Sequence, residues 1–191
     1  MSGLVTVGYF LFSLITNLLI FVLWTRIALR YFKVSSLHPV SQMIIKLTAP
    51  ILMPFNKLFS LLNINIRRYD WPCLMLIILV ELVKFFAIGL LFLKVMLPWP
   101  LIFLFTAAEL IVEPCNLLFY ALIIRVIMSW VSPGWQHPIA YLALLVTEPL
   151  LASLRRRLPV MSGFDFSPLV AIIILKVITL FITASLPLQL I

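Results

Sequence analysis

Four stretches of the chain are apolar for roughly 20 residues or more, at about residues 4–27, 73–93, 102–126 and 167–186. A helix rises about 1.5 Å per residue and bilayer hydrocarbon is about 30 Å thick, so each stretch is long enough to cross a membrane as one helix. The connections between the first and second stretches and between the third and fourth are also apolar. Pro39, Pro50 and Pro54 interrupt one, and Pro138, Pro149 and Pro159 the other, so neither leaves a clean span. Lipid cannot satisfy exposed backbone groups, so these pieces are expected as short helices lying at the interface or packed on the spans. In the first, Val40, Met43, Ile44 and Leu47 recur at helical spacing while Ser41, Gln42 and Lys46 fall on the other side. In the second, Leu150, Leu151, Leu154 and Leu158 oppose Arg155, Arg156 and Arg157. The expected class is an all-α membrane protein with four transmembrane helices, plus a proline-broken amphipathic interfacial segment in each half.

Composition fixes the solvent. Hydrophobic residues make up 64% of the 191 residues and charged residues 10%, whereas a soluble domain carries about 25% charged residues to wet its surface. The net charge of +8 is not spread as a nucleic-acid stripe, because the basic residues sit beside apolar runs. Anionic lipid headgroups are the expected partner, each basic side chain near them contributing about 1 kcal/mol. Arg26, Arg30, Lys33, Lys46, Lys57, Arg67 and Arg68 flank the first connection and Arg125, Arg155, Arg156 and Arg157 the second, while the opposite side has Lys94. Positive loops stay cytoplasmic, so both connections are expected inside, with both termini and the turn around Trp99 outside. Cys73 and Cys115 have no metal-site spacing and are expected as free thiols. The first apolar run lacks a basic n-region and a small-residue cleavage site, so it reads as an anchor rather than a removable signal.

The chain also aligns with itself. A shift of 99 positions lays Asn17, Leu18, Leu19 and Arg26 on Asn116, Leu117, Leu118 and Arg125; His38 and Pro39 fall on His137 and Pro138, and Thr48 and Pro50 on Thr147 and Pro149. After a four-residue adjustment, Asp70 and Trp71 meet Asp165 and Phe166. Two parallel tandem repeats are expected, residues 1–97 and 98–191, related by a pseudo-two-fold axis along the membrane normal. A span ending in Arg, then His-Pro, Thr-x-Pro, a basic run and an Asp-aromatic turn resembles the YggT family. The likeness is strongest over residues 125–169, in Met128-Ser129-Trp130-Val131, Thr147-Glu148-Pro149-Leu150-Leu151 and Gly163-Phe164-Asp165-Phe166-Ser167-Pro168. The first repeat departs from it, with Arg30-Tyr31 and Asp70-Trp71-Pro72 at the matching places. The resemblance implies a multi-pass inner-membrane protein, with relatives tied to osmotic or ion homeostasis, to envelope organisation near division proteins and, in plastids, to cofactor assembly on a membrane cytochrome. It implies no common biochemical activity.

Five ionisable residues fall inside the spans: Glu81, Lys84, Glu109, Glu113 and Lys176. Each costs roughly 2.5 to 3.5 kcal/mol at the helix centre, so they must pair or line a wet cavity. Glu81 and Lys84 share a helical face. Glu81 also occupies the repeat position of Lys176, which suggests a bridge between repeats, with Glu113 as the alternative partner for the lysine. These groups read either as structural ion pairs or as an ion or proton path. Asn17 and Asn116 suit packing between helices. Arg26 and Arg125 suit span-end anchors reaching for phosphate, as Arg155, Arg156 and Arg157 suit lipid-headgroup contacts. Asp70 and Asp165 suit helix caps or dipole partners. His38 and His137 precede prolines that suit a first helical position; a paired-histidine metal or haem site is a remote alternative.

No phosphate loop, His-Glu-x-x-His or nucleophile elbow occurs, so neither an enzyme nor a cofactor is expected. Two readings of function stand: an envelope or assembly organiser, with membrane-protein partners or copies of itself, and a small ion transporter or leak pathway.

Overall fold

The computed structural model describes residues 3–35, 38–61, 70–131, 138–156 and 165–187. Among them every regular element is a helix: α1 Gly3–Tyr31, α2 Pro39–Leu61, α3 Trp71–Ala87, α4 Trp99–Val131, α5 Pro138–Arg155 and α6 Ser167–Ala184. A π-helical stretch, Ile88–Leu93, prolongs α3. It stops at Lys94, whose φ of 54° is left-handed, and the N–H of Val95 closes the end on the Gly89 carbonyl at 3.1 Å. All six helices, α3 with its extension, are long and apolar enough to cross a membrane.

The four long apolar stretches became α1, α3, α4 and α6. The proline-cut connections are corrected in two respects. First, the described part of each that holds the internal prolines is one continuous helix: α2 runs through Pro50 and Pro54, and α5 through Pro149, while Leu158 and Pro159 lie outside the described residues. Proline costs a helix about 3 kcal/mol by removing one donor and crowding the preceding turn, but neighbouring helices and side-chain bonds re-satisfy the freed groups. Second, α2 turns its small polar residues inward. Ser41, Thr48 and Leu52 are buried, whereas Met43 is 69% and Leu47 56% exposed. Small residues let backbones approach, and the long apolar side chains are left to the bilayer. Pro39 and Pro138 are the first helical residues of α2 and α5, where the missing N–H costs nothing.

Packing is layered. One apolar cluster joins Ile20 and Leu23 of α1, Leu52 of α2, and Cys73, Leu76 and Ile77 of α3. A second joins Phe85 and Ile88 with Ile102 and Phe105, packed on by Tyr9 and Phe12 of α1. A third joins Leu122 of α4, Leu151 of α5, and Ala171 and Leu175 of α6. The long helix α4 contributes to the second and third clusters, and so links the two halves. Cys73 and Cys115 are free thiols.

Candidate functional site

Between the first two clusters lies a dehydrated group of charges. Along α3 the order is Ile77, Glu81, Lys84, Phe85; along α4 it is Phe105, Glu109, Leu110; along α1 it is Phe12, Asn17, Ile20. The polar residues of three helices thus meet at one level, with an apolar layer on each side. Lys84 Nζ donates to Glu109 Oε1 at 2.9 Å and to Asn17 Oδ1 at 3.2 Å. It also lies 3.0 Å from Glu81 Oε2, one turn away on α3. The side chains of Glu81, Lys84 and Glu109 are only 1%, 3% and 3% exposed. The Phe85 ring sits 4.9 Å from the ammonium, adding a cation–π contact. Two carboxylates face one ammonium, and Glu81 Oε1 and Glu109 Oε2 make no hydrogen bond to a protein group.

This arrangement departs from the expected bridge between repeats. Glu81 pairs with Lys84 rather than Lys176, and the ammonium of Lys176 lies 4.7 Å from the Phe119 ring. The reason is rotational: α6 packs its Ala171 and Leu175 face on α4, which leaves Lys176 exposed on the flank. Glu113, one turn beyond Glu109 on α4, is half-buried and forms no ion pair among the described residues. Asn17 does more than pack, since its carbonyl oxygen accepts from Lys84; its repeat partner Asn116 is half-buried in α4.

Two arginine nodes occupy the ends where α1 and α4 finish. In the first half, Arg26 Nε donates to Asp70 Oδ2 at 3.0 Å and its Nη1 to Thr48 Oγ1 at 2.6 Å, and Arg30 Nη1 approaches Asp70 at 3.2 Å. Thr48 in turn donates to the Ile44 carbonyl at 2.7 Å, which fixes its hydroxyl as an acceptor for the arginine. The node ties α1, α2 and the start of α3. In the second half, Arg125 Nη1 donates to Thr147 Oγ1 at 2.9 Å, and Thr147 donates to the Ala143 carbonyl at 2.6 Å. Arg125 then reaches Glu148 at 2.9 Å, Glu148 reaches Arg155 at 2.9 Å, and Arg155 reaches Asp165 at 2.7 Å. The extra Glu148–Arg155 link has a simple origin: Ala49 and Asn56 stand 99 positions earlier, so the first half has no such pair and its aspartate bonds the arginine directly.

Arg26 and Arg125, expected at the headgroups, are therefore turned inward. Arg155 is 40% exposed and held by two carboxylates, Arg156 is exposed, and Arg157 lies outside the described residues. Asp70 stands at the start of α3, but its side chain makes no capping bond: Oδ2 takes the arginines and Oδ1 has no hydrogen-bond partner among the described residues. Asp165 does cap: its Oδ1 accepts from the Ser167 N–H at 3.0 Å and from the Ser167 hydroxyl. Burial pushes the Asp165 carboxyl up, but hydrogen bonds from the Ser167 hydroxyl, the Arg155 guanidinium and the Ser167 N–H outweigh it and hold it below the usual carboxylate range. His38 stacks on Tyr141 of α5 at 6.0 Å, and His137 lies outside the described residues. Sequence reading missed Thr48, Thr147 and Glu148 as arginine partners, although the two threonines were marked by their identical places in the repeat.

Known proteins resemble this chain in sequence over most of its length. The family model described as CCB3/YggT matches twice, over residues 5–91 and 102–186. The chain belongs to the CCB3/YggT family. Relatives include the "Uncharacterized protein YggT" of Escherichia coli (strain K12), 31% identical over 90% of this chain and 86% of its own length. "Uncharacterized protein PA0392" of Pseudomonas aeruginosa is 31% identical over 97% of this chain and 93% of its own. The "Uncharacterized protein in proC 3'region" of Vibrio alginolyticus is 33% identical over 86% of each. No solved structure matches the chain.

Proposed function

We propose that this CCB3/YggT member is a non-enzymatic multi-pass protein of the bacterial inner membrane that organises or scaffolds envelope components. The observation that carries the reading is the closed charge cluster. Conduction needs polar groups in contact with water along a path, whereas Glu81, Lys84 and Glu109 are at most 3% exposed and lie between two apolar layers. Such a cluster suits a lock that fixes the rotation of α1, α3 and α4 and gives partners a rigid body to dock on.

The proposed topology has four spans, α1, α3, α4 and α6, in two parallel repeats. Arg26 and Arg30, near the end of α1, bond Asp70 at the start of α3, which supports both ends lying on one side of the membrane. Thr48 and Thr147, midway along α2 and α5, sit against the arginines near the ends of α1 and α4, which favours α2 and α5 lying near that face rather than crossing. The basic residues there favour the cytoplasmic side, with both termini outside. The twofold family match and the paired Arg–Thr bonds support the division into residues 1–97 and 98–191.

The basic end of α5 is the proposed contact with anionic headgroups or partner proteins. The test replaces Arg156 and Arg157 with glutamine, leaving the ion pairs of Arg155 intact, and compares proximity-labelled neighbours in cells. Loss of specific neighbours at unchanged membrane insertion is expected; an unchanged set counts against the organiser. The alternative, a small ion transporter or leak pathway, is favoured by one observation, the carboxylate oxygens of Glu81 and Glu109 that no protein group satisfies.

A further inference from the structure

Of the five charges within the spans, three meet in the buried cluster as two carboxylates around one ammonium, and the two that remain have opposite signs. Lys176 is exposed on α6 with a ring face as its neighbour, and Glu113 is half-buried on α4 with no ion-pair partner among the described residues. Lys176 cannot escape to water. It is the tenth of eighteen residues in α6, hence about 12 to 14 Å from either end of the helix, further than a lysine side chain extends. A lone charge at that depth is expensive, and a cation–π contact of about 0.5 to 2 kcal/mol offsets only part of the cost.

Within one chain the two groups form no ion pair and face different sides of α4. Lys176 lies over Phe119, which packs with Leu122 toward α6, while Glu113 follows Glu109 on the side toward α3. Their depths are nevertheless within reach. Lys176 Nζ lies over Phe119, six residues from Glu113 or about 9 Å along the helix axis, a gap that the two side chains together can span.

We propose that a second copy of this chain covers the exposed face of α6, with Lys176 of each protomer paired to Glu113 of the other. A two-fold axis along the membrane normal keeps each residue at the same depth in both copies. One lysine and one glutamate per chain then satisfy an isologous interface without residual charge. The apolar neighbours Ile173, Val177, Leu180 and Phe181, all more than half exposed, supply the packing surface around the pair. This goes beyond the organiser reading and stands independently of it, since either an organiser or a transporter can be dimeric.

The test uses two charge-reversed full-length chains, Glu113→Lys and Lys176→Glu, in lipid nanodiscs and in liposomes with fluorophore-labelled protein. In a self-dimer each variant sets like charges opposite each other, whereas a mixture of the two restores both pairs. Wild type is expected to dimerise, each variant alone to lose dimer with a dissociation constant raised at least about tenfold, and the equimolar mixture to regain a heterodimer. A monomeric wild type, variants that dimerise like wild type, or folded variants that do not associate when mixed would each overturn the proposal, the last pointing to a different membrane protein as the partner. If either reversal prevents folding, Lys176→Met and Glu113→Gln replace them, and undiminished dimers of both would overturn it equally.

Discussion

Lys84 stands between two carboxylates, and removing it leaves both buried without an opposite charge. Breaking a buried ion pair by deleting one partner costs about 3 to 5 kcal/mol. Lys84→Met is therefore expected to lower stability in detergent by about that amount, measured by reversible unfolding, while Glu81→Gln, which leaves the Lys84–Glu109 bond intact, costs clearly less. Equal losses would mean that Lys84 is not the hub. Asp165 gives a pH prediction. Its carboxyl titrates below the unfolded value, so its contribution is fully present above the ordinary carboxylate range and disappears as pH falls through the folded value. The Ser167 amide should keep its protection, measured relative to the unstructured exchange rate at each pH, from neutral pH down to that range and lose it below, and Asp165→Ala should already lack it at neutral pH. The Glu81–Lys84 pair was legible from its spacing of three. The third member, Glu109, was not, because pairing across helices depends on how α4 is rotated against α3, and that rotation is set by Phe85 and Phe105 packing at 5.2 Å rather than by any local signal.

At the scale of elements, the four apolar helices could be read from length and hydropathy alone, since crossing hydrocarbon imposes a minimum run. The proline-rich connections are less legible: proline predicts a break, but α2 and α5 continue through Pro50, Pro54 and Pro149. The apolar stripe of α2 was legible, but which way it faces was not: periodicity reports an amphipathic helix without saying whether lipid or protein meets the apolar side. The structure answers with the buried Ser41 and Thr48. Thr48→Val removes the acceptor of Arg26 Nη1 and leaves a half-desolvated charged donor, a loss of roughly 1 to 3 kcal/mol. Thr147→Val should cost less, because Arg125 keeps Glu148 as a second partner; an equal or larger loss would show that the two nodes do not differ in this way. The proposed position of α2 is tested with Lys46→Cys, at an exposed polar position of the helix. A water-soluble thiol reagent should modify it from the cytoplasmic side only, and labelling from outside would mean that α2 crosses.

The whole molecule has two halves, each matched by the family model, and their polar content differs. Each half keeps the arginine–threonine bond, and the repeat identities made that visible in the sequence. The charge cluster is confined to the first half and the start of α4, since Lys176 stands where Glu81 would recur. A closed lock of this kind predicts a rigid membrane body without a conducting path. Ion flux in liposomes tests that most directly, with wild type compared against a Glu81→Gln, Glu109→Gln double variant at matched reconstitution, under proton, potassium and sodium gradients. The account predicts leakage no greater than protein-free liposomes for wild type. Flux carried by wild type and abolished in the double variant would contradict it and make the buried carboxylates a pathway.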